Sequence, residues 1–116
     1  MATPGEPLVL TPKALQTLKS NHPDKIPVFV LRAPKTDPSF PHLPKAKFLV
    51  PRSITLGMFS YVIRKHMTLP PEKAMFLFVN NTLETSGVLM SELYARYKSD
   101  DGALRIVYTS ESTFGA

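Results

Sequence analysis

The chain has 116 residues, 43% of them hydrophobic and 20% charged, with a formal net charge of +5 and no cysteine. That length suits one domain, which buries roughly 65% of its unfolded surface, enough for a single core. The lack of cysteine excludes disulfides and thiol chemistry and suits a reducing compartment such as the cytoplasm.

No apolar run approaches the roughly 20 residues of a membrane span. Met1 to Gly5 are followed by Glu6 and Pro7 rather than by the apolar segment of a leader, so a carrier must bring the chain to any membrane. The basic balance favours acidic partners, but the positive residues are scattered. Arg64-Lys65-His66 is the densest cluster, which reads as a solvated basic surface and not as a nucleic-acid footprint.

Pro4, Gly5 and Pro7 keep 1–10 irregular. Thr11-Pro12 starts a helix over 12–20, because threonine caps free N–H groups and proline suits the first helical position. Ala14, Leu15 and Leu18 fall at helical spacing. The segment 26–31 is rich in Val, Phe and Ile and reads as a strand, with Pro27 at an edge or entry position. A proline-rich loop over 33–44 follows. The segment 45–50 is a second strand closed by Pro51, and its lysines alternate with apolar residues as on an edge. Leu56, Phe59, Ile63 and Met67 form one apolar stripe of a helix over 55–67, with Val62 beside it. The segment 75–79 is a third, central strand, and Asn80-Asn81 turns the chain. A shorter helix over 88–98 carries Leu89, Leu93 and Tyr97 on one face. Asp100-Asp101-Gly102 is a turn, and 104–109 is the last strand.

This order predicts an α+β chain of β-grasp type: a mixed four-stranded sheet, a long crossover helix and an N-terminal helical extension. It divides into an extension over 1–24, a β-grasp domain over 25–110 and a tail over 111–116.

Catalytic chemistry is poorly served. His22, His42 and His66 have no cysteine or acidic pair beside them, so no metal site is expected. The five glycines are spread singly and form no phosphate loop. Ser110 and Ser112 lack a neighbouring histidine, and no nucleophile–base set emerges. The chain is expected not to be an enzyme and to need no cofactor.

Two features remain. An edge strand over 45–50 offers unpaired N–H and C=O groups to an extended peptide, with Lys45 and Lys47 placed to meet acids; the same lysines also serve simply to block edge aggregation. The end Ser112-Thr113-Phe114-Gly115-Ala116 reads either as a tail able to enter a narrow enzyme cleft, since glycine has no Cβ, or as ordinary fraying.

The segment Pro23-Asp24-Lys25-Ile26-Pro27-Val28 resembles the P-D-[RK]-[IV]-P-V stretch of autophagy ubiquitin-like modifiers of the GABARAP and light-chain type. Lys47-Phe48-Leu49-Val50-Pro51 is similar to their K-[YF]-L-V-P strand. Ile63-Arg64-Lys65, the run from Pro71 to Asn81, the run from Leu89 to Tyr94, Tyr108, Glu111 and Thr113-Phe114-Gly115 continue the match. About 95 residues are covered, in order.

The resemblance implies a β-grasp modifier. A processing cysteine protease would cut between Gly115 and Ala116. Ubiquitin-type activating and conjugating enzymes would then join the Gly115 carboxylate to phosphatidylethanolamine on autophagosomal membranes. It also implies recognition of aromatic-x-x-aliphatic motifs of cargo receptors by strand addition. By position, the aromatic pocket would use Leu18, Pro27, Lys47 and Leu49, with Ala103 where an aromatic usually forms the floor. The aliphatic pocket would use Phe48, Val50, Pro51, Ile54, Phe59, Val62 and Ile63. Lys25, Lys45, Lys47, Arg64 and His66 would meet acids. Phe76 and Phe78 resemble an aromatic pair on a second interaction face, where ordinary sheet packing is the competing reading. A monomer is expected before conjugation.

The chain departs from the family in four ways: signals for one N-terminal helix rather than two, Ala14 where an acid is frequent, Ala103 where an aromatic is usual, and His66 in place of an arginine. A non-conjugated β-grasp interaction module is the alternative reading.

Overall fold

The structure is a computed structural model that describes residues 9–111. Helix α1 (Pro12–Asn21) begins where its sequence places it: the Thr11 Oγ1 accepts the Ala14 N–H at 3.2 Å, and proline occupies the first turn. The chain turns at 22–24 into β1 (Lys25–Arg32). Residues 33–46 lead to β2 (Lys47–Pro51), followed by α2 (Leu56–Met67), β3 (Phe76–Val79), β4 (Thr82–Leu83), α3 (Met90–Tyr97) and β5 (Leu104–Thr109).

These strands form one mixed sheet in the order β2-β1-β5-β3-β4. β1 runs antiparallel to β2 and parallel to β5, while β3 lies antiparallel to β5. Pro27 precedes Val28, the first β1 residue paired to β5, and so holds an entry position. The register stacks alternate residues on one face. Ile26 lies opposite Val50, Val28 opposite Phe48 and Leu104, Val30 opposite Ile106, and Leu77 opposite Tyr108. Onto that face α2 lays Leu56, Phe59, Ile63 and Met67, the predicted stripe, all buried. Each such side chain stabilises the fold by about 1.5–3 kcal/mol relative to exposure.

The sheet has five strands rather than four. Asn80 and Asn81 both take positive φ, 50° and 62°, making a two-residue hairpin that pairs Val79 with Thr82 and Phe78 with Leu83. The returning strand is too short to show alternation in sequence.

Helix α3 also differs from its prediction. It starts at Met90, with Leu89 as its N-cap, and buries Met90, Leu93 and Tyr94. Leu89 is 36% exposed. The residues expected to open the helix are held extended against the start of α2. The Leu56 N–H donates to the Val88 carbonyl at 2.8 Å, the Gly57 N–H to Ser86 at 2.9 Å, and the Met90 N–H to Ile54 at 2.9 Å. The first two bonds satisfy α2 amides that have no partner within the helix, and the third does the same for the first amide of α3. They also need close approach, since a Cβ on Gly57 would stand 3.1 Å from the Ser86 Cβ.

The loop before β2 is less free than its prolines suggest. Phe40 is buried and stacks on Tyr108 with centroids 6.3 Å apart. The Arg32 guanidinium donates to the carbonyls of Asp37, Phe40 and Pro41. β2 itself starts at Lys47 rather than Lys45, although the Ala46 carbonyl still accepts the Val30 N–H at 2.8 Å.

Candidate peptide groove along the sheet margin

β2 is a margin of the sheet and pairs with β1 alone among the described strands. Its residues alternate: Lys47 and Leu49 are exposed, Phe48 and Val50 buried, and Pro51 half-buried. One concavity opens on each side of this margin.

The first has a volume of ≈ 620 Å³ and lies between α1, β1 and β2. Leu18, Pro27, Lys47 and Leu49 line it together, as do Val9, Leu10, Thr11 and Ala14. The structure places Ala103 differently: it is fully buried and does not line this groove. An aromatic ring is present nonetheless. Phe29 lines the groove, is 3% exposed and projects opposite to Val28 and Val30, away from α2. The Lys47 Nζ lies 6.0 Å from its centroid and the Arg105 Cζ 5.0 Å, both within cation–π range.

The second concavity, ≈ 680 Å³, lies where β2 meets α2. Pro51, Ile54 and Val62 line it, joined by Met58 and Tyr61. Phe48, Val50, Phe59 and Ile63 stay behind it in the core. Phe48 locks this wall, meeting Phe59 edge-on at 5.5 Å and His66 edge-on at 5.4 Å.

The cations are distributed unevenly around the margin. Lys45 Nζ stands 4.7 Å over the Phe48 ring, and Lys25 pairs with Pro51 at the far end of the hairpin. The His66 Nδ1 sits 3.0 Å from the Val62 carbonyl oxygen. Arg64 is engaged elsewhere, donating to the Pro70 carbonyl at 2.9 Å. Behind the first groove, Asp101 accepts two bonds from Arg105, at 2.9 and 2.7 Å. That guanidinium, with the Leu10 and Ala103 N–H groups, holds the Asp101 carboxyl well below the usual carboxylate range against the opposing effect of burial.

Phe76 and Phe78 part company. Phe76 is half-buried in a depression of ≈ 200 Å³ with Leu56, Ser60 and Leu83, whereas Phe78 is only 4% exposed. Gly115 and Ala116 lie outside the described residues. Among the described residues, no three His, Asp or Glu side chains gather as metal ligands, and no helix is long and apolar enough to cross a membrane.

Sequence reasoning missed Phe29, the strap at 9–11, Met58 and Tyr61. Phe29 carried a signal, since an aromatic between two core valines on a strand must face the other way. The strap carried none, because its place depends on a contact 91 positions away.

Residues 12–115 match the sequence model of the family described as autophagy protein Atg8, ubiquitin like. Autophagy-related protein 8 of Dictyostelium discoideum is 47% identical over 111 residues, covering 95% of this chain and 89% of the relative. Autophagy-related protein 8e of Arabidopsis thaliana is 48% identical over 99 residues, covering 85% and 80%. Among solved structures, Trypanosoma brucei ATG8 superposes with a TM-score of 0.77 at 36% identity, covering 86% of this chain and 84% of that one. Plasmodium falciparum Atg8, solved in complex with a Plasmodium falciparum Atg3 peptide, does so with a TM-score of 0.75 at 35% identity, covering 85% and 86%. A sheet margin flanked by two concavities, on a β-grasp scaffold matched along nearly its whole length, makes this chain a member of the Atg8 family of ubiquitin-like autophagy proteins, which are modifiers and not enzymes.

Proposed function

We propose that the chain is a conjugated autophagy modifier that captures extended peptides on β2. The carrying observation is the β2 margin, unpaired among the described residues, with a concavity on either side. A guest strand on that margin turns alternate side chains to opposite faces, so residues i and i+3 point to opposite sides, roughly 10 Å apart along the strand. One enters the groove of Phe29, Leu18 and Lys47; the other enters that of Ile54 and Val62. A flat ring suits the first, where the Phe29 ring lies with the Lys47 ammonium 6.0 Å from its centroid, and a branched aliphatic suits the second. Lys25, Lys45, Lys47 and His66 line the margin for acids flanking such a motif in cargo receptors. The Atg3 peptide bound to the Plasmodium protein supports a segment of the conjugation machinery as a further guest.

Conjugation rests on the family. Hydrolysis of the Gly115–Ala116 peptide bond by a processing protease frees the Gly115 carboxylate. Activating and conjugating enzymes, driven by ATP hydrolysis, convert that carboxylate to an enzyme thioester, and attack by the amine of phosphatidylethanolamine forms the amide and releases the enzyme thiol. The lipid supplies the anchor to the autophagosomal membrane, at about 0.8 kcal/mol per buried CH₂ over two acyl chains. On this reading 111–116 serve as the conjugation tail, 25–110 as the ubiquitin-like domain and 1–24 as its extension.

A reconstituted conjugation assay on phosphatidylethanolamine vesicles tests this directly. Wild-type protein acquires a phospholipid by intact mass with loss of Ala116, and Gly115→Ala does not. Equal lipidation of that variant overturns the assignment of Gly115.

A further inference from the structure

The wall of the first groove is lightly embedded. α1 buries no side chain fully, and Val9 in the strap before it is 57% exposed. What holds this wall is the turn before β5. Leu15 packs on Gly102, where a Cβ would stand 2.6 Å from the Leu15 Cδ2. The Leu10 N–H donates to the Asp101 Oδ2 at 2.8 Å. The same carboxylate takes the Ala103 N–H at 3.1 Å and both Arg105 bonds. Arg105 in turn lies over Phe29. One side chain thus joins the strap on the groove's rim to the ring in the groove.

We propose that Asp101 is a positioning residue for the peptide's aromatic anchor: it fixes the strap and holds Arg105 over Phe29, so that the first groove selects a planar ring over a branched aliphatic side chain. This rests on reading the groove as a peptide site. The chemistry requires a carboxylate. Four N–H donors converge on its two oxygens, which together offer about four lone-pair sites. An amide of the same shape would turn an NH₂ toward at least one of those donors. It would lose the charge-assisted bonds and release both strap and guanidinium.

The test compares two synthetic peptides with the same acidic flank, one carrying a Trp-x-x-Leu core and the other Leu-x-x-Leu. Affinities are measured by calorimetry on the full chain, beside amide exchange of Leu10 by NMR. Asp101→Asn is expected to weaken the Trp peptide about tenfold and the Leu peptide less than about twofold, and to speed exchange at Leu10. A backbone ester in place of the Val9–Leu10 amide, which removes that N–H and keeps the Leu10 side chain, is expected to shift selectivity in the same direction if Asp101→Asn does not fold. Equal losses for both peptides, or an unchanged Trp-peptide affinity, overturn the proposal, because a general loss of stability lowers both alike. If wild-type protein binds neither peptide, the peptide-groove reading itself falls, a different outcome from wild-type binding without selectivity loss.

Discussion

The Lys47 ammonium stands 6.0 Å from the centre of the Phe29 ring, one residue on the exposed face of β2 and the other buried on β1. Their strands are paired, with Phe29 directly opposite Lys47. The lysine stem therefore lies along the groove wall while its charge remains at the rim, available to an acidic residue of a guest. Leu49, two residues on and on the same face, completes that wall. Reversing the charge and removing the leucine, Lys47→Glu with Leu49→Ala, is expected to weaken an acidic aromatic-x-x-aliphatic peptide at least about tenfold, or about 1.4 kcal/mol. Both sites are exposed, so thermal unfolding should stay near wild type. An unaltered isotherm removes these two residues from the site.

Phe59 and Val62 separate stability from binding within one helix. Phe59 is 1% exposed against Phe48, while Val62 is 36% exposed and lines the second concavity. Phe59→Ala leaves a cavity beneath the sheet and is expected to cost about 3–5 kcal/mol by denaturant unfolding. Val62→Ala is expected to change stability by less than about 0.5 kcal/mol. It should instead weaken a peptide ending in leucine and leave unchanged one ending in alanine. Equal weakening of both peptides would detach Val62 from the aliphatic subsite.

The core was legible wherever a period repeated. The stripe Leu56, Phe59, Ile63 and Met67 is buried as its spacing requires, and β5 occupies 104–109 as predicted. The signal failed where structure depends on partners distant in sequence. β4 has two residues and no period, and exists because Asn80 and Asn81 aim it back at β3. Leu89 obeyed helical spacing, yet its neighbours are drawn into hydrogen bonds with the start of α2. Leu18, Pro27, Lys47 and Leu49 came from the family resemblance, and the structure brings them to one groove. Phe29 and Asp101 did not, because the resemblance pointed to Ala103 for the floor and nothing local links Asp101 to Leu10.

Gly102 and Leu15 make a second, separable prediction about α1. Gly102 has φ +87°, a region costly for any side chain, and faces both Leu15 methyl groups. Gly102→Ala is expected to destabilise by about 1–3 kcal/mol from backbone strain, with steric contact added. In a Leu15→Ala background the contact disappears and only the strain remains. A double-mutant cycle by urea unfolding should therefore return a coupling of about 0.5–3 kcal/mol, with Gly102→Ala better tolerated beside Ala at position 15. Strict additivity would mean that α1 yields freely and does not press on the turn.

Asp101 gives the pH dependence a definite sign. Arg105 first, then the Leu10 and Ala103 N–H groups, depress its carboxyl in the folded chain relative to the unfolded value of about 3.9. A depressed folded pKa means that the unfolded chain takes up the proton first as pH falls. The stabilisation is then complete above the unfolded value and is lost on descent toward the folded one. Wild type should therefore exceed Asp101→Asn in Tm by a constant margin from neutral pH down to about pH 5. The margin should narrow below about pH 4, where the unfolded carboxylate begins to bind protons. Asp37, depressed by bonds from Ser39, titrates in both proteins and cancels from the difference. A margin that shrinks between pH 7 and pH 5 would show that the Arg105 pair does not hold the carboxylate ionised, and the strap would then lose its anchor within the range of an acidifying compartment.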